Sequence, residues 1–198
     1  MGAEEIKNEN CEEMFEVDET VYTGRPSDTT GRKDTEIRAY DLLDELNISY
    51  ERVDHSPAYT IAACEAIDKL FNTHMCKNLF LCNSQKTAFY LLMMPGDKKF
   101  KTKDLSKQIN TARLSFANED FMKELLGLTP GAVTVLGLMN DKENRVRLII
   151  DKDLLEDEYI GCHPCVNTSS LKIKTSDITE KFLKAVGHDY TVVDLPRE

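Results

Sequence analysis

Asn78-Leu79-Phe80-Leu81-Cys82-Asn83-Ser84-Gln85-Lys86-Thr87-Ala88-Phe89-Tyr90-Leu91-Leu92-Met93-Met94 is two apolar runs around a short polar connection. Runs of this length, bounded by turn formers, read as paired strands, so the stretch predicts a β-hairpin in the middle of the chain. The first run is nearly continuous in apolar residues, the mark of a strand buried on both faces. Pro95-Gly96-Asp97 then closes the second run.

Before the hairpin, Ile37, Tyr40, Leu43 and Leu46 recur at threes and predict an amphipathic helix from about Thr35, stopped near Asn47. Ser49 to Val53 reads as a short strand, which Ser56-Pro57 ends. Thr60 is placed to cap a second helix, Ile61 to Leu70. After the hairpin come a helix from Thr102 to Ile109, a strand around Leu114 to Phe116, and a helix capped by Asn118 and ended by Gly127. Thr129-Pro130-Gly131 turns into Ala132 to Met139, a strand-like run onto which Val146 to Asp151 is expected to pair back. A short strand at Tyr159-Ile160, another at Leu171 to Lys174, a helix carrying Ile178, Phe182, Leu183 and Val186, and a terminal strand from Tyr190 to Leu195 complete the series. Strands and helices mix without strict βαβ alternation, so the expected class is α+β, a mixed curved sheet flanked by helices.

The ordered body is expected over residues 34–198, with 1–33 an acidic polar arm whose Phe15, Val17, Val21 and Tyr22 offer apolar contacts for docking. The chain carries a net charge of −10. The first 60 residues hold 16 acidic and 6 basic side chains, while the other 138 balance at 19 of each. A general nucleic-acid coat protein is excluded by that balance, because non-specific binding needs a net basic surface. No apolar run approaches the ~18 residues of a membrane helix. Met1 to Ile6 lacks the basic and apolar regions of a secretory signal, so a cytoplasmic location is expected.

Three features could carry chemistry. Gly161-Cys162-His163-Pro164-Cys165-Val166-Asn167-Thr168 holds a CxxC, which reads either as a thiol or metal module built on Cys162 and Cys165, or as a tight loop fixed by Gly161 and Pro164. No second CxxC or HxxxH completes a four-ligand metal set, so no metal is assigned. Lys77 stands at the mouth of the apolar run Asn78 to Cys82, where an ammonium can hold an anionic or carbonyl oxygen in a poorly hydrated cleft; the alternative is a snorkelling edge lysine. Lys98, Lys99, Lys101 and Lys103 surround Phe100 and read as a phosphate-binding patch or as a solvated face. GxGxxG, P-loop, GxSxG and HExxH signatures are all absent.

Taken in order, these residues resemble the YbaK and prolyl-tRNA-synthetase-associated family of free-standing editing domains. The carriers are Cys76 to Leu81, Leu91 to Asp97, Arg113 to Ala117, Pro130 to Val133 and Val146 to Asp151, within a match running from about Thr35 to Leu195. The loop His163 to Thr168 is similar to the HPxxNT pattern of the branch that hydrolyses alanyl-tRNA(Pro), the PrdX type included. The cysteinyl-tRNA(Pro) branch, the alternative substrate reading, has a glycine- and arginine-rich loop there.

The resemblance implies hydrolysis of the ester joining a wrong amino acid to the tRNA 3′ end, with water as nucleophile and no cofactor. It implies that Lys77 contacts the aminoacyl-adenosine end, with His163 and Asn167 as the other catalytic groups. Gly131, Ala132 and Val133 would border the amino-acid pocket, with Ser115, Gly161 and Pro164 as further substrate contacts. Lys98, Lys99, Lys101 and Lys103 would hold tRNA phosphates. The implied partners are mischarged tRNA(Pro) and prolyl-tRNA synthetase, with neither DNA nor membrane. One departure is visible: family members carry proline a few residues past Gly131, where Thr134-Val135-Leu136 has none.

Overall fold

A computed structural model of the chain describes residues 16–57 and 61–197. Two sheets and their helices are built from β1 (Tyr22–Thr23), α1 (Asp34–Glu45), β2 (Tyr50–Asp54), α2 (Ile61–Phe71), β3 (Cys76–Asn83), β4 (Phe89–Pro95), α3 (Thr102–Gln108), β5 (Leu114–Phe116), α4 (Glu119–Leu126), β6 (Val146–Asp151), α5 (Lys152–Glu156), β7 (Tyr159–Cys162), β8 (Ser169–Lys174), α6 (175–186) and β9 (Tyr190–Val193). The expected α+β class is what the structure has. The capping role expected of Thr60, and Phe15 in the arm, lie outside the described residues.

The hairpin is the centre of the larger sheet, whose order is β5-β3-β4-β6-β9. β3 and β4 pair antiparallel, and β4 then runs parallel to β6, which runs parallel to β9. All seven residues of β4 are buried because the strand is covered on both faces. Leu91 and Met93 point into the larger core, while Tyr90, Leu92 and Met94 point into a smaller one closed by Leu105, Val193 and Leu195. That two-sided burial is why this stretch shows no polar alternation in the sequence.

The second sheet, β1-β2-β8-β7, is antiparallel throughout. Its outer strand β1 belongs to the arm, which docks: Val17 bridges to His55, and Arg52 lies over the Tyr22 ring at 4.6 Å. Val21 and Tyr22 themselves remain exposed.

Two expectations fail for the same reason. Residues 132–139 are not a strand; Val135–Asn140 forms a 3₁₀ helix, capped where the Thr134 hydroxyl accepts from the Leu136 N–H at 3.4 Å. Val146–Asp151 accordingly has no strand there to pair with and joins β4 and β9 instead. A short, wholly buried apolar segment has the same appearance as strand or helix, since neither period leaves a polar face. The terminal strand stops at Val193 rather than Leu195.

The two sheets meet at one parallel bridge, Met75 to Gly161. A Cβ on Gly161 would sit 2.5 Å from the Met75 Sδ, 2.9 Å from its Cα and 3.2 Å from the His74 carbonyl oxygen. Only a residue without a side chain lets the backbones approach this closely. Gly161 thus has a packing role. Gly161→Ala is expected to lose roughly 1–3 kcal/mol by forcing the strands apart, read as a lower urea midpoint at unchanged slope.

Candidate active site

Three segments converge beside that bridge: the start of β3, the 130–134 turn, and the 161–170 loop. The buried Cys162 thiol lies near Cys76, Cys165 and the Thr134 side chain. Thr134 is fully buried where this turn meets the loop. Gly131, at φ 83°, is exposed at the crest of the turn, Ala132 is buried beneath it and Val133 packs on the larger core. Ala132 and Val133 therefore pack inward, and the glycine supplies the left-handed corner.

Burial pushes the thiols up: Cys76 to about 11, Cys165 to about 12 and Cys162 well above its ordinary value. Thiol chemistry and metal ligation both need the thiolate. Protonated and buried, Cys162 and Cys165 instead form the floor of the loop. Cys165 holds a left-handed φ of 63°, a strained conformation for a residue with a side chain. Among the described residues no cluster of three or more His, Cys, Asp or Glu could hold a metal ion.

His163 is positioned by two polar groups. Its Nδ1 lies 3.0 Å from the Ser169 carbonyl oxygen and 3.5 Å from the Ser170 hydroxyl. Because a carbonyl only accepts, Nδ1 carries the proton and Nε2 is left with its lone pair. The Ser170 hydroxyl also meets the His55 Nε2 at 2.9 Å, and the His55 Nδ1 donates to the Ser56 carbonyl at 2.8 Å. The two imidazoles stand 6.4 Å apart. Burial, reinforced by His55, pushes His163 down to about 4; burial likewise lowers His55. Asn167 is half-buried in the turn leading to β8, and Pro164 is buried.

Lys77 and His163 each lie two residues beyond the Met75–Gly161 bridge, but the lysine turns the other way. Along β3, Cys76, Phe80 and Cys82 enter the larger core, while Leu79 and Leu81 pack with the smaller one. Lys77 shares the parity of Leu79 and Leu81. Its ammonium donates to the Lys98 carbonyl oxygen at 2.9 Å, which occupies one of three N–H groups.

Asn78 was not singled out in the sequence. Its Nδ2 reaches the Cys76 carbonyl and thiol, both at 3.4 Å, while its Oδ1 is buried without a hydrogen-bond partner. An orphaned acceptor of this kind costs ~1–3 kcal/mol. The legible signal was an amide on the core-facing parity of an otherwise apolar strand.

The lysine patch loses a member. Lys98 is 2% exposed, and its ammonium is bonded to Asp151 and Asp153, so no phosphate can reach it. Burial alone would lower its pKa, but the two carboxylates outweigh that and raise it. The sequence could not separate it from Lys99, Lys101 and Lys103, whose side chains are exposed. Of these, Lys103 borders a groove of about 440 Å³ that it lines with Thr102, Ser106 and Arg113. Ser115 belongs to an adjoining groove with Arg113 and exposed Phe116, on the far strand β5, its hydroxyl 3.8 Å from the Cys82 sulfur.

A family described as an aminoacyl-tRNA editing domain matches residues 55–181, which begin just after β2 and include both convergent loops and all of β3. The chain belongs to the aminoacyl-tRNA editing family. It is 36% identical over 153 residues to the prolyl-tRNA editing protein ProX of Acetoanaerobium sticklandii, covering 77% of this chain and 93% of that one. It is 32% identical over 157 residues to prolyl-tRNA synthetase associated domain-containing protein 1 of Mus musculus, covering 77% and 91%. A solved structure described as a candidate trans-editing enzyme for prolyl tRNA synthetase superposes with a TM-score of 0.62 at 14% identity, over 84% of this chain and 99% of that one, and shows the shared fold. Membership in the editing family makes this chain a hydrolase of aminoacyl-tRNA esters, an editing enzyme of translation fidelity. No helix among its described residues is long and apolar enough to cross a membrane.

A pH test follows from His163, which stays neutral in the fold down to about 4 but titrates near 6.5 when unfolded. The unfolded chain therefore binds more protons below 6.5, so this stability is full above that pH and lost as pH falls toward 4. Urea midpoints measured from pH 7 to pH 4 should fall, and the fall should be shallower in His163→Asn.

Proposed function

We propose that this editing enzyme clears mischarged tRNA(Pro), with Ala-tRNA(Pro) as its substrate. The observation that carries the proposal is the His163 ring, locked with its proton on Nδ1 in a loop of HPxxNT form whose Cys162 lies near Thr134 of the 130–134 turn. The names of the relatives in Acetoanaerobium sticklandii and Mus musculus support tRNA(Pro) as the adaptor and prolyl-tRNA synthetase as the enzyme it works beside.

In this reading water attacks the ester carbonyl carbon, and the terminal 3′ oxygen leaves with a proton as the free ribose hydroxyl. An aminoacyl ester is already activated, so positioning and hydrogen-bond donors suffice. With a pKa near 4, His163 is too weakly basic to hold a proton at neutral pH. Its Nε2 lone pair orients the water or the neighbouring 2′-hydroxyl. Asn167 supports the same loop. Lys77 offers the two N–H groups that it does not spend on Lys98 to the aminoacyl-adenosine end, while the buried Asn78 amide stiffens the core-facing side of the same strand. Ala132 and Val133 wall a small pocket, with Gly131 and Pro164 fixing the backbones that frame it, and a steric wall rejects proline better than apolar contact could. Lys99, Lys101 and Lys103 hold acceptor-stem phosphates.

The test is release of amino acid from purified mischarged tRNAs. Wild type should hydrolyse Ala-tRNA(Pro) and leave Pro-tRNA(Pro) intact, while Lys77→Ala loses roughly 10²-fold or more in rate. Preference for Cys-tRNA(Pro) would move the protein to the other branch. Equal rates for Lys77→Ala and wild type would remove the lysine from the mechanism.

A further inference from the structure

Lys98 is buried for a reason that phosphate binding does not supply. Its three ammonium protons meet three acceptors: Asp151 Oδ1 at 2.8 Å, Asp153 Oδ2 at 3.0 Å and the Leu195 carbonyl oxygen at 2.9 Å. Asp151 returns the grip on the tail, its Oδ2 accepting from the Leu195 N–H at 3.2 Å. The tail is held again by the Gln108 amide, which donates to the Asp194 carbonyl at 2.6 Å and accepts from the Asp194 N–H at 2.8 Å. Arg197 closes over the outside, bonded to Asp97 at 2.6 Å and to Asp153 at 2.8 Å.

On its backbone side the same residue receives the Lys77 ammonium at 2.9 Å. The turn that carries this carbonyl is pinned from below as well. The Lys98 N–H donates to the Pro95 carbonyl at 3.3 Å, and a Cβ on Gly96 would stand 2.7 Å from the Met75 carbonyl oxygen. The turn therefore has no freedom of its own: its place is set by the end of β6, by the strand leading into β3, and by the last residues of the chain.

We infer that Lys98 is a positioning residue for Lys77, and that the C-terminal tail (residues 194–197) is the latch that holds it. The inference rests on the proposed role of Lys77. The latch fixes the Lys98 carbonyl, and the carbonyl fixes where the Lys77 ammonium points. A buried ammonium is costly unless all its hydrogens are matched, so loss of any partner disturbs the turn rather than only the surface. A misplacement of about 1 Å at a reacting centre can cost on the order of 10²-fold in rate.

The experiment has a spectroscopic arm and a kinetic arm, both on the full chain. In protein labelled with ¹⁵N-lysine, the Lys77 ammonium resonance is assigned by its disappearance in Lys77→Arg. Its ¹⁵N shift should carry the mark of the Lys98 carbonyl in wild type and move in Lys98→Met and in a chain ending at Asp194. With Ala-tRNA(Pro), Lys98→Met should lower kcat roughly tenfold with KM nearly unchanged, and should lower it no further in a Lys77→Ala background. An unmoved Lys77 resonance in the folded variants, or losses that add in the double variant, would overturn the latch. If Lys98→Met does not fold, the shortened chain decides. If Lys77→Ala hydrolyses at the wild-type rate, the functional role of Lys77 falls, while the resonance still reports whether the latch exists.

Discussion

The site depends on one close approach, that of Met75 to Gly161. It joins two sheets that have separate strands and share the larger core. It also puts the mouth of β3 level with the loop that bears His163, with Asn78 on the core-facing side of the strand and Lys77 on the opposite one. The approach is possible because Gly161 presents no Cβ to the Met75 backbone and sulfur. Beneath it, the protonated thiols of Cys76 and Cys162 and the Thr134 hydroxyl make a floor that excludes water, which is what keeps His163 neutral.

Much of this was readable in the residues themselves. The hairpin, α1, α4 with its Asn118 cap and left-handed Gly127, and the arm's weak apolar contacts all follow from local rules that the rest of the fold does not override. The 3₁₀ helix at Val135–Asn140 was not readable, because total burial erases the period that separates helix from strand. The parallel partners of β6 were hidden for another reason: they lie some fifty residues away on either side in sequence, and nothing local encodes them.

The site shows the same division. Residue types marked Lys77, His163 and Asn167, and the resemblance gave them roles. Sequence spacing could not tell which lysine of Lys98-Lys99-Phe100-Lys101 turns inward. That choice is made by Asp151 and Leu195, which arrive from the far end of the chain. Nor could it show that Asn78 carries an unsatisfied oxygen, since only the packing around it removes the water that would otherwise answer it.

The same arrangement has a consequence for the order of folding. β9 and Leu195 lie about a hundred residues beyond Lys98, yet they close the smaller core and complete the partners of that lysine. Until this distant segment docks, the ammonium and the carboxylate of Asp151 stay in water, and the parallel strand pair cannot be finished locally. Ordering of the turn beside Lys77 is thus a late, long-range event rather than a local one.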